Sequence, residues 1–130
     1  LADIPESSSP AASVSSIKGA YPNAGPSEWD SEMHGMERIY EAEFRINGFQ
    51  FDVKIAPDGK IVRIKEEIAA SSLPEAVRAS VLKRYPGCRI KEAEKITEGE
   101  LVRYKVEVAD SRDDYDVLIA PDGNILHVDR

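Results

Sequence analysis

The chain has 130 residues, the size of one ordinary domain or two very small ones, and is 42% hydrophobic and 32% charged, a globular composition. Its 24 acidic residues against 17 basic give a formal charge of -7. That balance argues against non-specific binding to nucleic acid or to an anionic membrane, and it fits a soluble protein or one that meets a basic partner.

The chain opens on Leu1, and its first stretch, "LADIPESSSPAASVSS", is rich in Ser, Pro and Ala. Residues 1–9 read as a linker after a removed export signal, which implies a periplasmic or secreted protein. No apolar run approaches the roughly 18 residues a membrane helix needs, so membrane insertion is not expected. The lone Cys88 forbids an internal disulfide and supplies no CxxC motif.

An offset of 64 positions aligns the chain with itself from residue 10 to residue 64 without a gap. Pro10 falls on Pro74, Ile17 on Val81, and Tyr21-Pro22 on Tyr85-Pro86. Tyr40 meets Tyr104, Glu43 meets Glu107, Asp52-Val53 meets Asp116-Val117, and Ile55–Gly59 meets Ile119–Gly123. The alignment implies a duplicated unit, with boundaries at 10–68 and 69–130.

Each half opens on a helix. In the second, Leu73, Val77, Val81 and Tyr85 form one apolar stripe, Lys83 and Arg84 suit the last turn, and Pro86-Gly87 ends it. The first, about Pro10 to Ala20, contains Ser13, Ser15, Ser16 and Gly19, so it is expected to be shorter or more mobile.

Short strands are expected near Glu28–Met33 and Arg89–Ile96. Asn47-Gly48 then marks a two-residue hairpin that pairs Ile46 with Phe49, Phe44 with Phe51, Ala42 with Val53 and Tyr40 with Ile55. All these apolar residues fall on one face, and Glu41, Glu43, Arg45, Gln50, Asp52 and Lys54 fall on the other. Tyr104, Val106 and Val108 face Tyr115, Val117 and Ile119 in the same way. The turn at Ser111-Arg112 lacks Asn-Gly chemistry and should be looser.

"APDG" occurs at 56–59 and 120–123 and reads as a hairpin turn, with Pro fixing φ, Asp bonding locally and Gly taking the left-handed position. A three-residue Pro-Asp-Gly loop pairs Ile55 with Ile61 and sends Val62 outward, whereas simple alternation buries Val62 and Ile64. The turn chemistry is preferred, and a bulge would reconcile the two.

The expected fold is therefore α+β: two tandem units, each a helix plus a four-stranded antiparallel sheet. One helix covers one sheet face and leaves the charged face to water or a partner.

The second half, "LPEAVRASVLKRYPGCRIKEAEKI…VRYKVEV…YDVLIAPDGNILHVD", resembles a PepSY-like domain, through its Leu-Pro opening, Tyr-Pro-Gly helix end, "RYKVEV" strand and final hairpin. The resemblance covers about Leu73–Asp129 and weakens in the first half, where "YPNAGPSEWDSEMHG" departs from the pattern. It implies a β-lactamase-inhibitor-protein-like fold in tandem copies, an exported bacterial protein, and docking through the open sheet face. It transfers no catalytic residue.

Among candidate sites, "WDSEMHGMERIY" gathers Trp29, Met33, His34 and Met36. Met and His ligate soft metals, but no second His or Cys cluster accompanies them. Trp29, Met33 and Met36 instead suit a protein interface. "DSRDDYD" lacks calcium-loop spacing and reads as a solvated acidic hairpin tip. No phosphate loop, nucleophile elbow or Ser-His-Asp arrangement occurs, so neither catalytic residues, nor a metal, nor a cofactor is expected. The hairpin register places Glu43 opposite Asp52, and Glu107 opposite Asp116, on the outward face.

These readings converge on an exported, non-enzymatic module that binds a protein or peptide, basic by charge complementarity, in an inhibitor-like manner. The alternatives are a small-molecule or ion-sensing periplasmic domain, and a carboxylate-dependent hydrolase.

Overall fold

A computed structural model describes residues 2–130, so Leu1, the first residue of the expected linker, lies outside the described residues. Two compact units divide the chain, Leu1–Glu66 and Glu67–Arg130.

In the first unit, β1 (Ala2–Ile4) and a short 3-10 turn (Glu6–Ser8) lead into α1 (Ala11–Ala20). Four strands follow: β2 (Glu28–His34), β3 (Glu37–Ile46), β4 (Phe49–Ile55) and β5 (Ile61–Ile68, whose last two residues fall in the second unit). The second unit continues with a 3-10 turn (Ala70–Ser72), α2 (Glu75–Arg84), β6 (Arg89–Glu98), β7 (Leu101–Ala109), β8 (Asp114–Ile119) and β9 (Ile125–Asp129).

The expectation of two tandem helix-plus-four-strand sheets is overturned. The strands form one nine-stranded sheet in chain order, β1 through β9. Part of the difference is β1: residues expected as linker pair antiparallel with β2, Asp3 opposite Asp30 and Ile4 opposite Trp29. Alternation identifies a strand and its faces, but it does not say where a sheet stops.

In the first unit, Ile17 of α1 packs on Trp29, Ala42, Phe44, Val53 and Ile55. Tyr21, Phe44 and Phe51 add aromatic contacts, with centroids 5.0–5.6 Å apart. In the second unit the stripe Leu73, Val77 and Val81 is buried on Ala93, Tyr104, Val106, Val108, Val117 and Ile119. Full burial of one such valine or isoleucine stabilises by about 1.5–3 kcal/mol.

The first helix is not shorter than the second; both have ten residues. Packing overrides the poor propensity of its serines. Ser13 is fully buried, and its hydroxyl donates a 2.9 Å hydrogen bond to the Ala56 carbonyl.

The hairpin from β3 to β4 has the register its turn demands, from Ile46 opposite Phe49 to Tyr40 opposite Ile55. Asn47 and Gly48 both take positive φ, 51° and 83°, as a type I′ turn needs. Ile55 pairs with Ile61, but Lys54 pairs with Arg63 and Val53 with Ile64, so Val62 is the extra residue of a bulge. The bulge lets the turn keep its loop length while Ile64 still packs on the core and Val62 stays outside. Leu126 occupies the same place in the second unit, between Ile119–Ile125 and Leu118–His127 pairings.

Candidate functional site

Strict alternation along β3 and β4 buries Ala42, Phe44, Val53 and Ile55 and sends their neighbours to the face opposite α1. Cross-strand pairing then lines acids up in two rows. One runs Glu28, Glu43, Asp52; the other runs Asp3, Asp30, Glu41. Like charges in adjacent rows repel, so this arrangement costs stability unless something offsets it.

Glu41, Glu43 and Asp52 converge: one carboxylate oxygen from each lies within 4.8 Å of the others. Glu41 is only 6% exposed, and among the described residues it has no hydrogen-bond or ion-pair partner. Its register neighbour Lys54 turns away to Glu32, at 2.8 Å. Gln50 donates to Asp52 at 2.9 Å. Burial first, and then the charges of Asp52, Glu41, Asp30 and Glu28, push the Glu43 carboxyl above its ordinary pKa. Asp30 is raised to about 6, chiefly by its hydrogen bond with Asp3, then by burial and by the charges of Asp3 and Glu41.

Positions 64 residues further on occupy the same register in the second unit. Glu92 pairs with Glu107, Glu107 with Asp116, and Glu94 with Lys105. A surface depression there is lined by Glu92, Glu94, Lys105, Glu107 and Asp116. Lys91 reaches Asp114 at 2.9 Å and Glu107 at 3.7 Å. In the second unit Lys91 therefore meets two acids, and Lys105 lines the depression beside them. Where Lys105 and Lys91 stand, the first unit has Glu41 and Ser27.

The acid pairs Glu43–Asp52 and Glu107–Asp116 are thus cross-strand neighbours, as the turn register requires. Trp29 is not on the surface: it is 3% exposed, sits in the core of the first unit, and its indole N–H donates to Glu6 at 3.3 Å. Burial removes it from any docking surface. Met33 and Met36 are exposed near the β2–β3 turn, Met36 fully so at 99%. His34 hydrogen-bonds Glu32 at 2.7 Å, and the second histidine, His127, pairs with Asp129. The acidic tip at 110–116 is tied to neighbouring cations, Asp114 to Lys91 and Asp113 to Arg130.

Sequence reasoning placed Glu41 on the outward face but did not single it out, and it missed Asp30 and Asp3. Their positions follow from the β1–β2–β3 register, in which the β2–β3 hairpin closes on a two-residue turn, Gly35-Met36, with Gly35 at φ 65°. One signal was present in the chain: the offset of 64 sets Lys105 against Glu41 while the surrounding acids match.

No protein-family model matches the chain. No curated protein matches it. Solved structures do. A Bacteroides eggerthii protein described as a candidate periplasmic one superposes with TM-score 0.77 at 21% identity, over 93% of this chain and 88% of that one. A DUF2874 family protein from Bacteroides uniformis gives 0.76 at 23%, over 93% and 88%. A BLIP-like (β-lactamase-inhibitor-protein-like) protein from Bacteroides fragilis gives 0.68 at 20%, over 91% and 83%. The chain shares its fold with these proteins. At these identities it is the fold that is shared, and a fold does not carry a function with it.

Chemically, the outward faces offer carboxylates in number and, among the described residues, no nucleophile hydrogen-bonded to a base. Such a surface can hold positive charge.

Proposed function

We propose that the protein is an exported, non-enzymatic interaction module that binds a basic segment of a protein or peptide through the outward sheet faces of its two units. The observation that carries this reading is the pairing of Glu43 with Asp52 and of Glu107 with Asp116 on faces not covered by a helix. Two aligned carboxylates attract a lysine or arginine and relieve their own repulsion when one docks. The net charge of -7 steers such a partner from a distance.

The carboxylates stand on a sheet face rather than in a deep cleft, which favours docking over acid–base catalysis. Met33 and Met36 would add adaptable apolar contact beside the acids of the first unit. A periplasmic location is inferred from the candidate periplasmic protein that shares the fold. The PepSY-like character of Leu73–Asp129 belongs to the same reading.

Fluorescence anisotropy with a lysine-rich peptide tests it. The double variant Glu43→Gln, Glu107→Gln should bind at least about tenfold more weakly, the loss of two charge-assisted contacts, and with a shallower salt dependence. Equal affinity and equal salt slope would place the binding surface elsewhere.

A further inference from the structure

We infer that Glu41, Glu43 and Asp52 form a binding site for a hard divalent cation of the calcium class, a site that the matching positions of the second unit do not have. The inference goes beyond the docking function above, which requires no ion.

Three observations carry it. The first is Glu41 itself. As a residue it is only 6% exposed, among the described residues its carboxylate has no hydrogen-bond or ion-pair partner, and Asp30 opposite it and Glu43 two residues along β3 repel it. The second is convergence. Oxygens that share a calcium ion at 2.3–2.6 Å lie at most about 5 Å apart. The three carboxylates meet that condition, each offering an oxygen within 4.8 Å of the other two.

The third is the contrast between the units. Glu28, Asp30, Glu43 and Asp52 correspond to Glu92, Glu94, Glu107 and Asp116, all acidic and in the same register. Within that frame the residue corresponding to Glu41 is Lys105, and Lys91 adds an ion pair to Glu107. In the second unit Lys91 pairs with Glu107, and Lys105 stands within the acid frame opposite Glu94. Among the described residues, no lysine or arginine makes an ion pair with Glu41, Glu43 or Asp52; Lys54 goes to Glu32. Lys54 and Lys65 stand opposite Glu41 and Asp52 in register yet make no ion pair with them, which leaves the three carboxylates open to a cation from outside.

The donor set selects the ion. Three carboxylates with no His or Cys suit a hard cation rather than copper or zinc. Calcium tolerates a cluster of carboxylates from flexible side chains, whereas magnesium keeps more of its water and a stricter octahedron. Glu41 and Glu43 are alternate residues of β3 on one face, and Asp52 lies across on β4, so a rigid hairpin holds the three donors together.

Isothermal titration of the purified chain with calcium chloride, in 150 mM potassium chloride, tests the site. One saturable ion per chain is expected, with Kd between about 10 μM and 1 mM and weaker binding of magnesium. Glu41→Gln should weaken calcium binding at least about tenfold, because one of three charged ligands is lost. Glu107→Gln should leave it unchanged. Glu41→Lys should abolish binding and, by copying the second unit, raise the unfolding temperature without calcium.

Absence of a saturable calcium heat from the folded chain overturns the assignment. So does a Glu41→Gln variant, folded by circular dichroism, that binds as wild type. If calcium fails while a lysine-rich peptide binds in a Glu41-dependent way, a partner's side chain fills the site and the metal assignment falls, while the docking function stands.

Discussion

Gly123 lies against the backbone of Ala76: a β-carbon built on it would stand 2.6 Å from the Ala76 carbonyl oxygen. Gly59 stands in the same relation to Ala12, at 2.8 Å. Both glycines also hold φ near +90°. The recurring Ala-Pro-Asp-Gly turn is therefore more than a way to reverse the chain. Its glycine is where the hairpin touches the first turn of the helix. Gly123→Ala should lower stability by about 2–4 kcal/mol, adding a clash to the left-handed backbone cost. Gly99→Ala, at φ +59° with nothing within 4 Å, should cost only about 1 kcal/mol. Urea unfolding of both variants checks the difference, and equal losses would mean that the contact with α2 relaxes freely.

The buried hydroxyl of Ser13 gives a second prediction. Ser13→Ala should cost about 1 kcal/mol, the net worth of its hydrogen bond to Ala56. The remaining serines and Gly19 still weaken α1, so amides from Ser13 to Gly19 should exchange faster than those from Val77 to Arg84. Native-state hydrogen exchange reads both effects, and equal protection in the two helices would show that packing has fully overridden propensity.

The turn joining β7 and β8 lacks Asn-Gly, yet it is fastened. The Asp110 carboxylate accepts the backbone N–H groups of Arg112 and Asp113, each at 2.8 Å. These bonds, the Asp113 one first, hold its pKa below the ordinary aspartate value. A depressed carboxyl stabilises the fold above the unfolded pKa, and that contribution disappears as pH falls through the folded one. Amide signals of this turn should therefore broaden on acidification below about pH 4, ahead of those in the Asn47-Gly48 turn. In Asp110→Ala they should already be broad at pH 7, and an unaltered turn in that variant would show the side chain to be idle.

Cys88 is half-buried, and burial raises its thiol pKa above the ordinary value. Less thiolate means slower alkylation. Iodoacetamide at pH 8 should label the native chain several-fold more slowly than the chain in urea. Similar rates would mean that the thiol is open to solvent.

Most of the strands and their pairing were legible in the residues. Asn47-Gly48 and the alternation from Tyr40 to Ile55 point to the same register by independent physics, and the structure has it. The bulge at Val62 is the compromise between a turn that fixes loop length and a core that wants Ile64. Sheet extent was not legible. Three residues, Ala2–Ile4, in a Ser- and Pro-rich stretch are too few to show a period, and their pairing with β2 depends on contacts far along the chain. The same limit hid the acidic site. Glu43 and Asp52 meet across the Asn47-Gly48 turn and Asp30 meets Glu41 across the Gly35-Met36 turn, a Gly-X signal less distinctive than Asn-Gly, while Asp3 joins through β1, which has no turn to β2 at all. Trp29 misled because a tryptophan beside methionines looks like a contact surface, and only the strand's facing shows that it points inward.

The bulge at Leu126 bears on how copies of the chain behave at high concentration. β9 stands last in the sheet and has only five residues. An edge strand displays free backbone amides to which another chain can add itself, the first step towards fibrils. Here the edge is short, it is bent where Leu126 interrupts the pairing, and charged groups flank it: His127 with Asp129, and Arg130 with Asp113. A newcomer strand would find neither a straight ladder nor an uncharged one. A kink that reconciles a turn with a core at the same time keeps the sheet from growing beyond its own chain.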